Sequence, residues 1–413
     1  MRLLHVTQRY PPAIGGAEKY IADLSEELSR RGHQVDVFTS RALDFYTWKN
    51  KLPPFERLNG VNVYRFRSMQ RRSWVWKVLS FGLRNYWRTR SRRYEPFIFV
   101  GGGPISPGMF WAMLTRGRRY DLIHLNCLVY SHVAYGYWAA RWLNVPVVVT
   151  PHAHAGQDVT YNIGYQRDVM FGCDHVIADT AAERGLLLDL GLDPWRVSVG
   201  GTGLHPDQYE NGQDQARRRL GLPQDGFILL FLGRKSDYKG LDIALEAYLA
   251  LRAQYPEMCF LAVGPETDYS RALWSRYQDV PGLHVLGVVS DEEKLAALQA
   301  CNCLVLPSVG EAFGIVFLEA WIVGRPVIGA RTLAVSAVIQ HGQDGFLAAP
   351  GDAADLAACI ARLIADPDLA RRMGARGREK VLRRYTIPRI ADRVEGIYLR
   401  VLRRRLREEG ETR

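Results

Sequence analysis

Short apolar runs alternate with helix-period stretches along almost all of this 413-residue chain, and the alternation restarts halfway. In the first half the runs fall at 3–7, 35–39, 61–66, 122–125, 145–150, 176–178 and 197–199. In the second half they fall at 228–232, 260–263, 284–286, 303–306 and 326–328. Between them lie helical stretches such as 18–30, where Ile21, Leu24 and Leu28 recur at three and four residues, and 241–252, 292–300, 314–322 and 355–364. Strand, helix, strand is the repeating unit of a parallel sheet covered by helices, so two doubly wound α/β domains are expected. A polar stretch, 206–222, separates the two series and places the domains at 1–206 and 207–387. A helical stripe beyond it, Ile390, Val394, Ile397 and Val401, is expected to carry 388–413 back onto the first domain.

Charge narrows the partners. The chain has 54 Lys and Arg against 43 Asp and Glu, a net +11. Residues 65–95 carry ten basic side chains against Glu95, and 371–413 carry fifteen against six acids, so the remainder is −7. An excess confined to two places argues against a cationic coat for nucleic acid, and no nucleic-acid partner is expected. Six scattered cysteines form no CxxC pair, which fits a reducing compartment. No secretory leader is expected, because residues 1–6 run straight into a strand, and the uncharged stretch 97–114 is broken by Gly101, Gly102, Gly103, Pro104 and Pro107. A cytoplasmic location follows as the expectation.

In an open parallel sheet, ligands bind beyond the carboxyl ends of strands, and three loops there are unusual. After 3–7 the chain reads Gln8 through Pro11 and Pro12 to Gly15-Gly16-Ala17-Glu18 before a helix; a Gly pair there allows close approach of an anion to free N–H groups. After 228–232 it reads Gly233-Arg234-Lys235-Ser236-Asp237-Tyr238-Lys239-Gly240, offering up to three cations to a diphosphate. After 303–306 come Glu311 and, eight residues on, Glu319, with Phe313, Gly314, Ile315 and Val316 at a helix start. On one helix such acids would lie about 12 Å apart, beyond the roughly 5 to 9.5 Å of a glycosidase pair, and suited to gripping two parts of one long ligand. A solvated or locally paired role for these side chains is the alternative for each loop taken alone.

Together the loops resemble the retaining GT-B glycosyltransferases of family 4. The resemblance rests on Gly15-Gly16-Ala17-Glu18, Arg31-Gly32-His33, Tyr120 to His124, Val149-Thr150-Pro151-His152, Asp174 to Asp179, Gly233-Arg234, Lys239-Gly240, and Glu311 with Glu319. It implies two Rossmann-like domains facing a central cleft, and transfer of a sugar from a nucleotide diphosphate sugar to a glycan or lipid-linked acceptor. Glu319 would hold the ribose hydroxyls and Glu311 the sugar hydroxyls. Arg234 and Lys239 would bind the diphosphate, helped by backbone at Gly15, Gly16 and Phe313 to Val316, and His152 would bond a hydroxyl of the reacting sugar. One departure is the turn Gly201 to Asp207, which lacks the family's usual Pro-Asn-Gly-Val-Asp-like form.

No metal and no cofactor are expected. Asp366-Pro367-Asp368, the one literal D-x-D, reads as a turn and helix cap, and His152, His154 and Asp158 lack the second ligand pair of a zinc site. Residues 71–93 combine a basic stripe (Lys77, Arg84, Arg88) with an apolar one (Val75, Leu79, Leu83, Tyr86) and several Trp residues. That pattern suits either docking on an anionic inner leaflet or a helix packed on the sheet. Two other functions stay open from the residues alone: a GT-B-fold nucleotide-sugar epimerase, and a non-catalytic basic protein binding membrane or nucleic acid.

Overall fold

The computed structural model describes residues 1–153, 162–209, 213–277 and 280–411. The chain forms two compact units, Met1–Thr202 with Ile387–Arg413, and Gly203–Thr386. In the first, strands β1 (Arg2–Val6), β2 (Gln34–Ser40), β3 (Phe55–Leu58), β4 (Val61–Phe66), β5 (Leu122–Asn126), β6 (Val147–Thr150), β7 (His175–Ala178) and β8 (Val197–Val199) make one sheet. Its order is β3-β4-β2-β1-β5-β6-β7-β8, and every pair is parallel except β3 with β4. Strands β5, β6 and β7 are buried along their whole length, which is why they read as unbroken runs rather than as alternation.

The second unit holds β9 (Ile228–Leu232), β10 (Cys259–Val263), β11 (Leu283–Leu286), β12 (Cys303–Leu306), β13 (Val327–Ala330) and β14 (Gly345–Ala348), all parallel in the order β11-β10-β9-β12-β13-β14. Each sheet therefore has a switch point, where neighbouring strands send their connections to opposite sides: β1 beside β5, and β9 beside β12. The three unusual loops leave β1, β9 and β12.

Two strands were not expected from hydropathy. β3 is Phe-Glu-Arg-Leu, too short and polar to register, yet it pairs with β4 through Asn59-Gly60, with φ of 46° and 87°. Asn-Gly is the strongest short hairpin signal a sequence carries. β14 begins on a glycine and lacks β-branched residues. The run 145–150 forms strand only from Val147, since Pro146 has no N–H for the ladder.

The helix Ile387–Glu411 packs in the first unit, with Ile390, Val394, Ile397 and Tyr398 in one apolar cluster with Leu3, Ile21 and Val37. Polar contacts fix its register. Arg31 donates to Asp392 (2.8 Å) and Glu395 (3.0 Å), and His33 meets Glu395 at 2.8 Å. Beneath the sheet the Tyr398 hydroxyl sits 2.6 Å from His124 Nδ1 and 3.3 Å from His5 Nε2. His124 Nε2 continues to Thr150 (2.8 Å), and His5 Nδ1 to Ser25 (2.7 Å).

These rings make the unit acid-sensitive. Burial drives His5 and His132 down to about 3, and His124 well below its ordinary value, where burial is joined by repulsion from His5 and His152. The folded state thus excludes protons that the unfolded chain takes up near pH 6.5, so the stability from neutral rings is complete above that pH and is lost as pH falls toward 3. Each ring weakens folding by on the order of 1 kcal/mol per pH unit in that window. Glu183, raised by burial and by Asp179, and Glu95, raised by burial, act in the opposite sense but are two groups against three rings. Urea unfolding at pH 7 and pH 5 should show a clear loss of stability at pH 5; equal or greater stability there would contradict it.

Candidate active site

In the first unit the loop after β1 feeds the helix Gly16–Arg30, with Gly15 as its N-cap. A β-carbon on Gly15 would lie 2.0 Å from a carboxylate oxygen of Glu18, so the glycine is needed to let that carboxylate fold against the backbone. Glu18 is buried and accepts from Gln8 (3.0 Å) and Arg9 (2.6 Å). The helix end expected to receive an anion at Gly15 and Gly16 thus already has a carboxylate beside it.

His152 follows β6 in a left-handed conformation, φ 52°. Its Nδ1 meets Asp179 at the end of β7 (2.6 Å), and its Nε2 meets the Asn126 amide oxygen at the end of β5 (2.8 Å). The Asn126 amide nitrogen donates to Thr7 and to the Ala17 carbonyl, both at 3.2 Å, which fixes that amide's orientation. Tyr20 closes the ring's edge, centroids 5.1 Å apart. Behind it, buried Glu183 accepts from the backbone N–H groups of Ala153 and Asp179, both 2.6 Å. The ring is held from several sides, and a sugar hydroxyl would have to replace Asn126 at Nε2. Asn126 and Glu183 were not singled out from sequence. Asn126 closes β5, and Glu183 is the third residue of the helix Ala181–Asp189, three after its N-cap Thr180, so their signals are a strand end and a Thr-x-x-Glu helix start.

In the second unit the loop after β9 contains Gly240, φ 71°, where a β-carbon would meet the Pro307 carbonyl oxygen at 2.6 Å. That close approach brings the loop against the one after β12. Lys239 consequently pairs with Glu311, although 72 residues separate them. Arg234 is half-buried in the same loop.

Lys235, the third cation expected there, is corrected by the structure: it is fully buried and turns inward to Glu266 and the Leu286 carbonyl (2.6 Å). Burial lowers its pKa, while Glu266, which burial alone would raise, is held below its ordinary value by Lys235, Ser270 and Trp274. Lys235 is therefore a support of the β9–β10 edge.

Glu311 and Glu319 do not share a helix, which corrects the 12 Å reasoning. The helix is Ile315–Ile322, with Gly314 as N-cap at φ 83°, where a β-carbon would strike the Phe317 ring at 2.5 Å. Glu311 stands in the loop before it. Glu319 is buried and accepts from Tyr209 (3.0 Å) and Lys294 (2.9 Å) at Oε1. Ile315 and Val316 supply first-turn N–H groups that no helical carbonyl can reach, and Phe313 packs edge-on to Tyr385.

Asp366 caps the helix Pro367–Arg384 by accepting from Leu369 N (2.8 Å). Among the described residues no three His, Cys, Asp or Glu side chains converge as a metal-ligand set; His154 and Asp158 lie outside the described residues.

Residues 15–203 match the family model described as Glycosyl transferase 4-like domain, and residues 212–380 that of Glycosyl transferases group 1. The chain is similar to D-inositol 3-phosphate glycosyltransferases. It is 27% identical to that of Streptomyces scabiei (strain 87.22) over 91% of this chain and 85% of the relative. It is 29% identical to that of Frankia alni (strain DSM 45986) over 87% and 88%. Among solved structures it resembles HepE of Anabaena in complex with UDP and glucose (TM-score 0.74, 20% identity, 96% of this chain and 99% of that one). It also resembles sucrose-phosphate synthase of Thermosynechococcus elongatus (TM-score 0.73, 22% identity, 97% and 98%).

Proposed function

The chain belongs to the group 1 glycosyltransferases of the family 4 type, with the GT-B fold, and from that premise we propose that it moves a hexosyl or related sugar from a nucleotide diphosphate sugar to an acceptor hydroxyl with retention of anomeric configuration. The observation that carries this is the meeting of Lys239 and Glu311 at the carboxyl edge of β9 and β12, with Arg234 in the same loop and Glu319 on the helix that follows. A cation is thereby supplied for the diphosphate beside a carboxylate for sugar hydroxyls, at the switch point where such folds bind ligands.

As the bond from the anomeric carbon to the diphosphate oxygen breaks, negative charge builds on the leaving oxygen. A cation about 4 Å away is worth about 4 kcal/mol at an effective dielectric near 20. Arg234 and Lys239 fill that role, so added metal is not required. The acceptor oxygen attacks from the face the diphosphate leaves, through a short-lived oxocarbenium-like state, and its proton passes to the departing phosphate oxygen. His152, braced by Asp179, bonds a sugar hydroxyl in exchange for Asn126. Glu319 holds the ribose, and the amides of Ile315 and Val316 face the diphosphate.

The curated relatives are named for D-inositol 3-phosphate, so a phosphorylated polyol is the first acceptor class to test, followed by glycans and lipid-linked sugars. The protein works at the cytoplasmic face of a membrane, docked through the helix Ser73–Thr89. Its stripe Val75, Gly82 and Tyr86 is buried, while Trp74, Trp76, Lys77, Phe81, Arg84 and Arg88 are exposed. Part of the local charge serves another purpose: Arg71 is buried, donates to the Phe45 (3.0 Å) and Gly101 (2.7 Å) carbonyls, and is pushed down to about 10 by that burial. Among the described residues no single helix is long and apolar enough to cross a membrane.

Proton NMR of the product formed with EDTA present should show the donor's anomeric configuration. An inverted product would refute the retaining mechanism, and a donor epimer made without acceptor would mark an epimerase.

A further inference from the structure

A strongly basic cavity of the first unit lies away from the residues assigned above. It encloses about 770 Å3, and seven arginines line it against two carboxylates, Asp174 and Glu408. Asp174 and His175 open β7, whereas Asp179, which braces His152, closes it; about 16 Å of extended chain separates the two ends. The cavity is therefore at the edge where the strands begin, opposite the carboxyl ends.

The C-terminal helix supplies most of its charge. Arg400, Arg403, Arg404 and Arg407 recur at three and four residues, so they form one stripe. Among the described residues Arg400, Arg403 and Arg407 have no carboxylate partner. Arg404 stacks on the Trp195 ring at 3.5 Å and donates to Glu408 at 2.7 Å. Arg405 approaches Asp174 only to 3.7 Å, and its buried Nε and Nη2 atoms lack hydrogen bonds. Arg196 is anchored on the Phe171 carbonyl (2.8 Å), so it is a fixed donor rather than a waving one. His175 is held down to about 4 by burial and by Arg400 and Arg196. So many guanidinium groups around a concave space, with so few acids, repel one another unless an anion sits among them.

We propose that this cavity is a binding site for a phosphate-bearing anion, separate from the donor site. Tyr137, Phe171 and Trp195 give it apolar walls, and Trp142 (75% exposed) and Leu406 (69% exposed) lie on the same two helices as Arg141 and the arginine stripe. The phosphate can therefore come from a soluble phosphate ester or from a phospholipid headgroup.

The test titrates pyrophosphate into the full chain carrying Lys239→Ala, which weakens the competing donor site, and then adds Arg400→Ala with Arg403→Ala. Vesicles of phosphatidylglycerol, with phosphatidylcholine as control, form the second arm. Pyrophosphate binding that weakens at least tenfold in the arginine variant identifies a soluble source. A tenfold loss confined to phosphatidylglycerol vesicles identifies a lipid source. Arg372→Ala with Arg376→Ala removes the same charge from exposed positions elsewhere; an equal loss in that control, or no loss in either arm, overturns the proposal. Both cavity arginines are exposed, and Arg407→Ala gives a second, independent variant should the pair misfold.

Discussion

Lys239→Ala should lower the transfer rate by about three orders of magnitude, more than any other single change at the site. In the proposed reaction the ammonium would have two tasks: facing the diphosphate, and neutralising Glu311, with which it pairs. Losing the first removes about 4 kcal/mol of stabilisation of the leaving group, or roughly a thousandfold in rate. Losing the second strands a carboxylate beside an incoming dianion. Adding Glu311→Gln to Lys239→Ala should therefore recover part of the lost nucleoside diphosphate affinity, though not the rate, because the sugar loses its charged grip. Arg234→Ala should slow transfer by about 10²-fold or more. If Glu311→Gln fails to improve nucleotide affinity in the Lys239→Ala background, the pair does not act on the diphosphate in the way described.

Glu319→Gln carries the second large effect. A hydrogen bond to a charged acceptor is worth about 1.5 to 3 kcal/mol, so a nucleoside diphosphate should bind about 10- to 100-fold more weakly. Pyrophosphate, which has no ribose, should bind the variant as well as it binds the parent. The amide keeps an acceptor for Tyr209 and Lys294, so the local fold should hold. Calorimetry with both ligands, in the Arg400→Ala with Arg403→Ala background so that pyrophosphate reports the donor site, separates the readings: equal weakening of the two would place Glu319 at the phosphates or at the fold, and not at the ribose.

The second half of the fold was the easier to read. Strands β9 and β12 fall on the apolar runs residue for residue, and Leu241–Arg252 is a helix as its periodicity indicated. Parallel strands buried on both faces have no alternation to misread. β3 escaped because edge strands need not be apolar, and its only mark is the turn after it.

At the site, residue types and strand-end placement were legible, but directions were not. Nothing in Gly-Arg-Lys-Ser separates Arg234 from Lys235, yet successive side chains leave the chain on opposite sides, and Lys235 faces the Glu266 carboxylate inside. The pairing of Lys239 with Glu311 depends on Gly240 and Pro307 meeting across two loops, a tertiary contact that no local pattern encodes. Asn126 was hidden for a similar reason: it ends a buried strand, and its partners Thr7, Ala17 and His152 come from three other segments.

The most direct measurement is release of nucleoside diphosphate from a panel of nucleotide sugars, with EDTA present and D-inositol 3-phosphate, glycan or lipid-linked acceptors supplied in turn, comparing the parent chain with Lys239→Ala. The account predicts acceptor-dependent release from at least one donor by the parent and about a thousandfold slower release by the variant. A folded parent chain that neither binds nor turns over any nucleotide sugar, or a Lys239→Ala variant as fast as the parent, would contradict it.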